Sequence, residues 1–122
     1  MLAADLVLLA CLDAQIAAAE AQMARLLPDT PFAPLLTVPG WGTIRGCNYG
    51  AAVGDLDRWP GARQLYRASC LSPAQYESAG MRRDGGISRE GSVALRRALI
   101  DLGIGLWRAD PAARRYGQQL RA

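Results

Sequence analysis

Apolar side chains recur at seven-residue intervals along residues 2–27 and predict one long helix at the start of the chain. Two interleaved series carry the pattern: Leu2, Leu9, Ile16 and Met23, and Leu12, Ala19 and Leu26, with Asp5 interrupting the second series. This spacing is typical of a coiled-coil seam a little over three heptads long, and the many alanines favour a helix. Two interpretations stay open, a helix packed on its own domain and a seam that pairs two copies.

Prolines divide the chain after this helix. Pro28, Pro31 and Pro34 end the helical pattern and predict a stiff connector, so residues 1–34 and 35–122 are expected to form separate units. Pro39-Gly40-Trp41-Gly42 then precedes a helix predicted over residues 43–53. This order is typical of a helix-hairpin-helix element, in which Gly40 and Gly42 leave backbone N–H groups open to a phosphate. An ordinary glycine-rich turn is the alternative.

The remaining pattern completes a mainly α fold. A helix is predicted over residues 61–70 and another over 93–109, with Ser88 or Ser92 as its cap, and Asp110-Pro111 starts a last short helix. Residues 74–88 lack a helical stripe and fit either a loop or two short strands around a Gly85-Gly86 turn. We therefore expect a coiled-coil-like helix, then a compact helical domain with one glycine-rich irregular or β-hairpin segment.

Charge is distributed unevenly between the two units. Residues 1–40 carry four acids and one arginine, whereas residues 41–122 carry seven acids and thirteen arginines. A basic second unit suits a polyanionic partner. There is no histidine, which excludes a Ser-His-Asp triad, and the three cysteines form no CxxC pair, which fits a reducing cytoplasm and argues against a metal site. No apolar run is judged to approach the ~20 residues that span a bilayer, so no membrane association is expected.

The densest chemistry lies between Tyr76 and Arg97. Ser78 stands beside small residues in this segment, and a group of arginines follows it: Arg82, Arg83, Arg89, Arg96 and Arg97. Guanidinium groups bind phosphate oxygens bidentately, and a hydroxyl placed among them can bind or attack a phosphodiester. These residues make nucleic acid the first partner to consider.

Ordered short motifs from Leu35 to Leu120 resemble the C-terminal domain of the transposases of insertion sequences one-ten, one-sixteen and nine-oh-two. The matching motifs are Leu36-Thr37-Val38-Pro39-Gly40-Trp41-Gly42, Gly54-Asp55, Arg58-Trp59, Ala62-Arg63-Gln64-Leu65, Leu71-Ser72-Pro73, Tyr76-Glu77-Ser78-Ala79-Gly80, Gly85-Gly86-Ile87-Ser88-Arg89-Glu90-Gly91 and Leu95-Arg96. Residues 2–27 also resemble the coiled-coil arm of that family. Ala79 stands where the family usually has glycine, Met81 where it has a basic residue, and Ser92 where it has Asn or Asp.

The resemblance implies DNA transposition guided by an RNA that the element encodes. It implies that Ser78 is a nucleophile that bonds to DNA, and that Mg²⁺ is held by a RuvC-like domain that this sequence does not contain. We therefore expect DNA as partner, a guide RNA as a further one, self-association through the first helix, and no cofactor within the chain. A fragment that is inactive alone is expected. A non-catalytic helix-hairpin-helix module that binds nucleic acid, and a structural protein that self-associates through its first helix, are the alternatives.

Overall fold

The fold is mainly helical, with one two-stranded antiparallel sheet in the part of the chain that is described. The computed structural model describes residues 1–87 and 90–121, apart from the side chains of Tyr76 and Asp84. Short 3₁₀ turns cover Leu27–Asp29, Ala33–Thr37 and Leu56–Arg58. The regular elements in chain order are α1 (Leu2–Leu26), α2 (Thr43–Val53), α3 (Ala62–Ala68), β1 (Pro73–Ser78), β2 (Met81–Ile87), α4 (Val93–Ala109) and α5 (Pro111–Gln119).

Within the part of the chain that is described, helix α1 meets the rest of the protein near its C-terminal end. None of its residues is buried, and large apolar side chains such as Leu9 and Ile16 are more than half exposed. Leu27, immediately after the helix, is 3% exposed and packs against Gly46 of α2. The Cys47 thiol lies 3.8 Å from the Met23 carbonyl oxygen. The helix therefore extends an apolar surface away from the domain that anchors it, and its pairing seam remains a prediction.

The same stretch is long and apolar enough to cross a membrane. Residues Leu2–Asp29 contain an 18-residue window with a mean hydropathy of 1.8, none of it buried. The prediction that no apolar run approaches the length of a membrane span is therefore wrong, because the isolated charges of α1 interrupt the run but leave its mean hydropathy high. Length and composition are the only basis of this criterion, which signal sequences and core helices of soluble proteins also meet.

The core lies where α2 crosses α4. Val53 and Leu95 are fully buried, and Leu102 is 2% exposed. The Trp41 indole Nε1 donates a hydrogen bond of 2.8 Å to the Leu102 carbonyl oxygen, which ties the turn before α2 to the middle of α4. The predicted helices over residues 43–53 and 93–109 are confirmed with those bounds.

Two glycines let these helices approach closely. Gly40 has a φ of +80°, and a Cβ on it would collide with the carbonyl oxygen of Gly105 on α4. A Cβ on Gly105 would lie 2.5 Å from the Gly40 carbonyl oxygen and 3.0 Å from Arg45 Nε. Arg45 Nε lies 3.2 Å from Asp101 Oδ2 as an ion pair, without the alignment of a hydrogen bond. Because both side chains are partly exposed, this pair orients the crossing more than it stabilises it.

The two ends of the segment between α3 and α4 are held together. Cys70 is fully buried with a φ of +60°, and the backbone N–H of Ser92 donates a 3.0 Å hydrogen bond to the Ala68 carbonyl oxygen. Ser92 Oγ accepts from the Leu95 N–H and caps α4, as one of the two predicted caps. The other predicted cap, Ser88, lies outside the described residues. Residues between these anchors must therefore leave the domain and return to the same place.

The returning segment is a β-hairpin, which is one of the two predicted forms, but its turn is not the predicted one. Ser78 pairs with Met81, so the connecting residues are Ala79 and Gly80. The predicted turn residues, Gly85 and Gly86, lie within β2 instead. Pro73 pairs with Ile87 and Gln75 pairs with Asp84, so β1 advances two residues between these pairs while β2 advances three. The extra residue of β2 lies at the two glycines and makes a β-bulge there.

Gly105→Ala is expected to lower the free energy of unfolding by about 2 kcal/mol, because the added methyl group overpacks the crossing of α2 and α4. Gly103→Ala is the matched control on the same helix, since a Cβ there meets nothing within 4 Å. The control should gain about 0.5–1 kcal/mol from the better helix propensity of alanine. Urea unfolding of both variants measures the difference. Equal effects of the two substitutions would contradict the close crossing.

Candidate nucleic-acid interface

Ser78 stands at the apex of the hairpin, where its hydroxyl is open to solvent. It is the last residue of β1, its side chain is exposed, and the next two residues form the turn. Ala79 has a φ of +52° and Gly80 of +79°, which is the geometry of a type I′ turn. This turn matches the twist of paired strands, so it holds the backbone of Ser78 in a defined position.

Strand pairing decides which arginine accompanies Ser78. Residues directly opposite each other in an antiparallel pair share one face, and the face alternates along each strand. Ser78 opposes Met81, so Arg83, two residues further along β2, lies on the Ser78 face at a diagonal distance of about 7–8 Å. Arg82 opposes Glu77 on the other face. The hairpin thus places Arg83 beside the hydroxyl and pairs Arg82 with an opposite charge.

The other predicted arginines do not belong to the hairpin. Arg96 is half-buried and Arg97 exposed in the first turns of α4. Arg97 lines a groove of about 470 Å³ between α2 and α4, together with Asn48 and Asp101. Arg89 lies outside the described residues. The structure therefore joins one predicted arginine, Arg83, to the face of Ser78.

The two glycines of the predicted helix-hairpin-helix element have different surroundings. Gly40 is half-buried against α4, so its lack of a side chain serves packing. Gly42 precedes α2, is exposed and has open space where a Cβ would be. Among residues 1–87 and 90–121 no side chain caps α2, which leaves its first N–H groups without a capping partner there. The element that precedes Pro39 is the five-residue 3₁₀ turn Ala33–Thr37 and not an α-helix.

A cleft at the base of the hairpin was missed by the sequence analysis. It has a volume of about 900 Å³ and is lined by Arg63, Tyr66 and Arg67 of α3, and by Ser72, Pro73, Ala74, Gln75, Gly86, Ile87 and Glu90. The available signal was the spacing of Arg63 and Arg67, four residues apart on one helical face. That spacing predicts a basic stripe, but only the folded hairpin shows what it faces.

Metal ligands are not gathered in the part of the chain that is described. Within residues 1–87 and 90–121 no group of three or more His, Cys, Asp or Glu side chains could hold an ion. These residues therefore do not fit the Mg²⁺ that the resemblance implies. The described site consists of one hydroxyl, several guanidinium groups and open backbone donors.

Fold and site together define a small helical domain that projects a hairpin with a hydroxyl at its apex and basic residues along it. The chain belongs to the Transposase IS116/IS110/IS902 family, whose sequence model matches residues 33–118. This confirms the family resemblance drawn from the motifs.

Two curated relatives agree with the family. The chain is 34% identical over 87 residues to the transposase for insertion sequence element IS1328 of Yersinia enterocolitica, covering 70% of this chain and 26% of that protein. It is 33% identical over 106 residues to the insertion element IS110 uncharacterized 43.6 kDa protein of Streptomyces coelicolor, covering 86% of this chain and 26% of that protein. The chain thus matches about a quarter of the length of each.

Ala79→Gly is expected to make the hairpin open less often, by about fivefold, because it removes the strain of about 1 kcal/mol that a left-handed alanine carries. Amide hydrogen exchange of the hairpin measures this opening. Ala74→Gly is the control, the same change within β1 where φ is not positive, and it should increase exchange. Faster exchange in both variants would contradict the type I′ turn.

Proposed function

We propose that this chain is the DNA-contacting part of a transposase and that it presents Ser78 to the scissile phosphate. The observation that carries the proposal is the exposed hydroxyl at a two-residue turn, with Arg83 on the same face. Its family membership favours transposition as the process. A chain that acts on bacterial element DNA works in the cytoplasm, and the guide RNA implied by the resemblance would be a further partner.

The proposed chemistry is a phosphoryl transfer. Ser78 Oγ forms a bond to phosphorus, the bond from phosphorus to one deoxyribose oxygen breaks, and that oxygen leaves with the electron pair. Arg83 is placed to stabilise the charge that develops on the phosphoryl oxygens. Glu77 lies on the opposite face of the hairpin, so it does not take the hydroxyl proton. We propose that a base supplied by a RuvC-like domain takes this proton.

We assign no divalent metal to these residues, and the proposed roles of Ser78 and Arg83 do not depend on a metal held by them. Because the described residues do not fit a metal, we expect the purified chain to bind DNA without cutting it efficiently. A RuvC-like domain, supplied by a family relative, is expected to restore strand cleavage.

A non-catalytic nucleic-acid module is the second candidate. The uncapped, exposed start of α2 at Gly42 favours it, since open N–H groups at a helix N-terminus bind phosphate without any nucleophile. The third candidate, a purely structural self-associating chain, would not show the salt-dependent DNA binding that phosphate contacts produce. Covalent attachment to DNA separates the first candidate from the other two.

Ser78→Ala is expected to abolish a covalent protein–DNA adduct, by at least about 100-fold, because removing a nucleophile removes the bond-forming atom. The assay mixes the chain with element-end DNA, Mg²⁺ and a RuvC-like domain from a relative, and detects adducts that survive denaturing electrophoresis. Thr37→Ala, which removes an exposed hydroxyl at the end of the 3₁₀ turn Ala33–Thr37, is the control and should keep the adduct.

Two results would count against this proposal. An adduct of normal yield in Ser78→Ala would assign the nucleophile elsewhere. Efficient cutting by the chain alone would show that it supplies its own metal site.

We also propose that α1 pairs with α1 of a second copy. Its apolar side chains are exposed along most of its length, and such a surface in water favours association. The seven-residue spacing of Leu9 and Ile16 supplies a seam for a parallel or antiparallel pair.

Sedimentation equilibrium at micromolar concentration should give the mass of a dimer. Leu9→Glu with Ile16→Glu should give a monomer, because two carboxylates would have to be buried in the seam. Ala14→Glu, an exposed position off the predicted seam, should leave the dimer intact. A monomeric mass for the unmodified chain would end the pairing proposal.

A further inference from the structure

The cleft at the base of the hairpin joins basic side chains to an aromatic ring. Helix α3 contributes Arg63, Tyr66 and Arg67 to the lining of the cleft, and Gln75 of β1 lies across from them. Its volume is about 900 Å³ and it is open to solvent, so a strand can enter and leave it. Gln75 and Ser78 are three positions apart on β1, about 10 Å along an extended strand.

The two arginines are uncompensated within the described residues. Arg63 and Arg67 are both exposed, and neither guanidinium group has a hydrogen bond or an ion pair within residues 1–87 and 90–121. Like charges four residues apart destabilise a helix by about 0.2–0.5 kcal/mol. A phosphate bound between the two guanidinium groups would replace this repulsion with attraction, because each group would then face an anion. The cleft also holds one carboxylate, that of Glu90, so its arginines leave a net positive charge.

Tyr66 is held in place with part of its ring open. Its hydroxyl donates a 3.2 Å hydrogen bond to the Leu71 carbonyl oxygen, and the residue is 48% exposed. A ring that is fixed at one end and open on a face suits stacking with an unpaired base. Arginines beside such a ring are the combination that binds single-stranded nucleic acid.

We infer that this cleft binds a single strand of DNA, with Arg63 and Arg67 on its phosphates and Tyr66 against a base. The inference rests on the proposed function, since it supplies the strand that leads to Ser78. The cleft would therefore grip DNA beside the cutting site.

The first test compares two double variants. The cleft variant combines Arg63→Gln and Arg67→Gln, and the control variant combines Arg108→Gln and Arg115→Gln. The control removes the same charge from exposed positions outside the cleft. A short mixed-sequence single-stranded oligodeoxynucleotide is the probe, without Mg²⁺, so that binding is separated from cutting.

The cleft variant should lower the slope of log affinity against log salt by about 1.4, since each phosphate contact contributes about 0.7 for a single strand. Affinity at about 0.1 M salt should fall about 25-fold by the same relation. The control should change affinity less than threefold if its arginines touch no phosphate. Equal losses in both variants would show that net charge alone attracts the strand and would overturn the cleft.

The second test concerns Tyr66. Tyr66→Leu should weaken binding of the single strand about tenfold without changing the salt slope, because stacking releases no counterions. Tyr66→Phe keeps the ring and should bind within about twofold of the unmodified chain. Duplex DNA of the same sequence should not respond to Tyr66→Leu, and a response of equal size there would overturn the stacking role. The assignment to DNA would be overturned if RNA of the same sequence bound more tightly than DNA and depended on Arg63 and Arg67 in the same way.

Failure of this site is distinguishable from failure of the proposed function. If the cleft variants bind normally while Ser78 still forms its adduct, the cleft is wrong and the transposase assignment stands. If the cleft variants lose binding while no adduct forms at Ser78, the cleft stands and the chain is a non-catalytic binding module.

Discussion

The contact between the backbones of Gly40 and Gly105 is the constraint on which the rest of the domain depends. Because neither residue has a side chain, the turn before α2 can lie directly on α4, and Trp41 can reach the Leu102 carbonyl oxygen. That crossing fixes α4, and the start of α4 is in turn bonded to the end of α3 through Ser92 and Ala68. The hairpin leaves and returns at this clamp. A substitution that displaces α4 at its crossing with α2 is therefore expected to displace the base of the hairpin that carries Ser78.

A two-stranded hairpin of this length is only marginally stable by itself in water, so its support matters. In this protein the support comes from its two ends, at the buried Cys70 and at Gly91, where a Cβ would collide with the Cys70 thiol. Near its base, α3 forms the opposite wall of the cleft. The apex receives little support of this kind and has an alanine in a strained turn position. An apex of this kind suits a residue that must meet a large substrate, because bound DNA can supply contacts that the domain lacks.

The sequence predicted helices better than it predicted the hairpin, for a physical reason. The bounds of α2 and α4 follow from local features, namely the glycine-rich turn before residue 43 and Ser92 before an apolar stripe. The turn of the hairpin depends on register across two strands, which Gly85 and Gly86 obscured by resembling a turn. Once Ala79 and Gly80 make the turn, the face that Ser78 shares with Arg83 follows from alternation alone. The cleft could not be predicted, because it exists only where α3 meets the folded base of the hairpin. The seven-residue pattern predicts α1 as a helix, but a count of uninterrupted apolar residues does not reveal that an 18-residue window here has a mean hydropathy of 1.8.

The sequence predicts phosphate binding at glycine-rich motifs, and the structure distinguishes two roles of glycine in them. Gly40 faces protein atoms that would collide with any side chain, so packing is sufficient to require glycine there. Gly42 and Gly86 face open space, so packing gives no reason for glycine at either position. Gly42 lies at the uncapped start of α2, and Gly86 lines the cleft that also holds Arg63 and Arg67. A backbone that a phosphate approaches closely needs this combination of open space and nearby donors. The two exposed glycines are therefore the stronger candidates for contact with DNA, and the first glycine of the Pro-Gly-Trp-Gly motif belongs to the architecture that positions them.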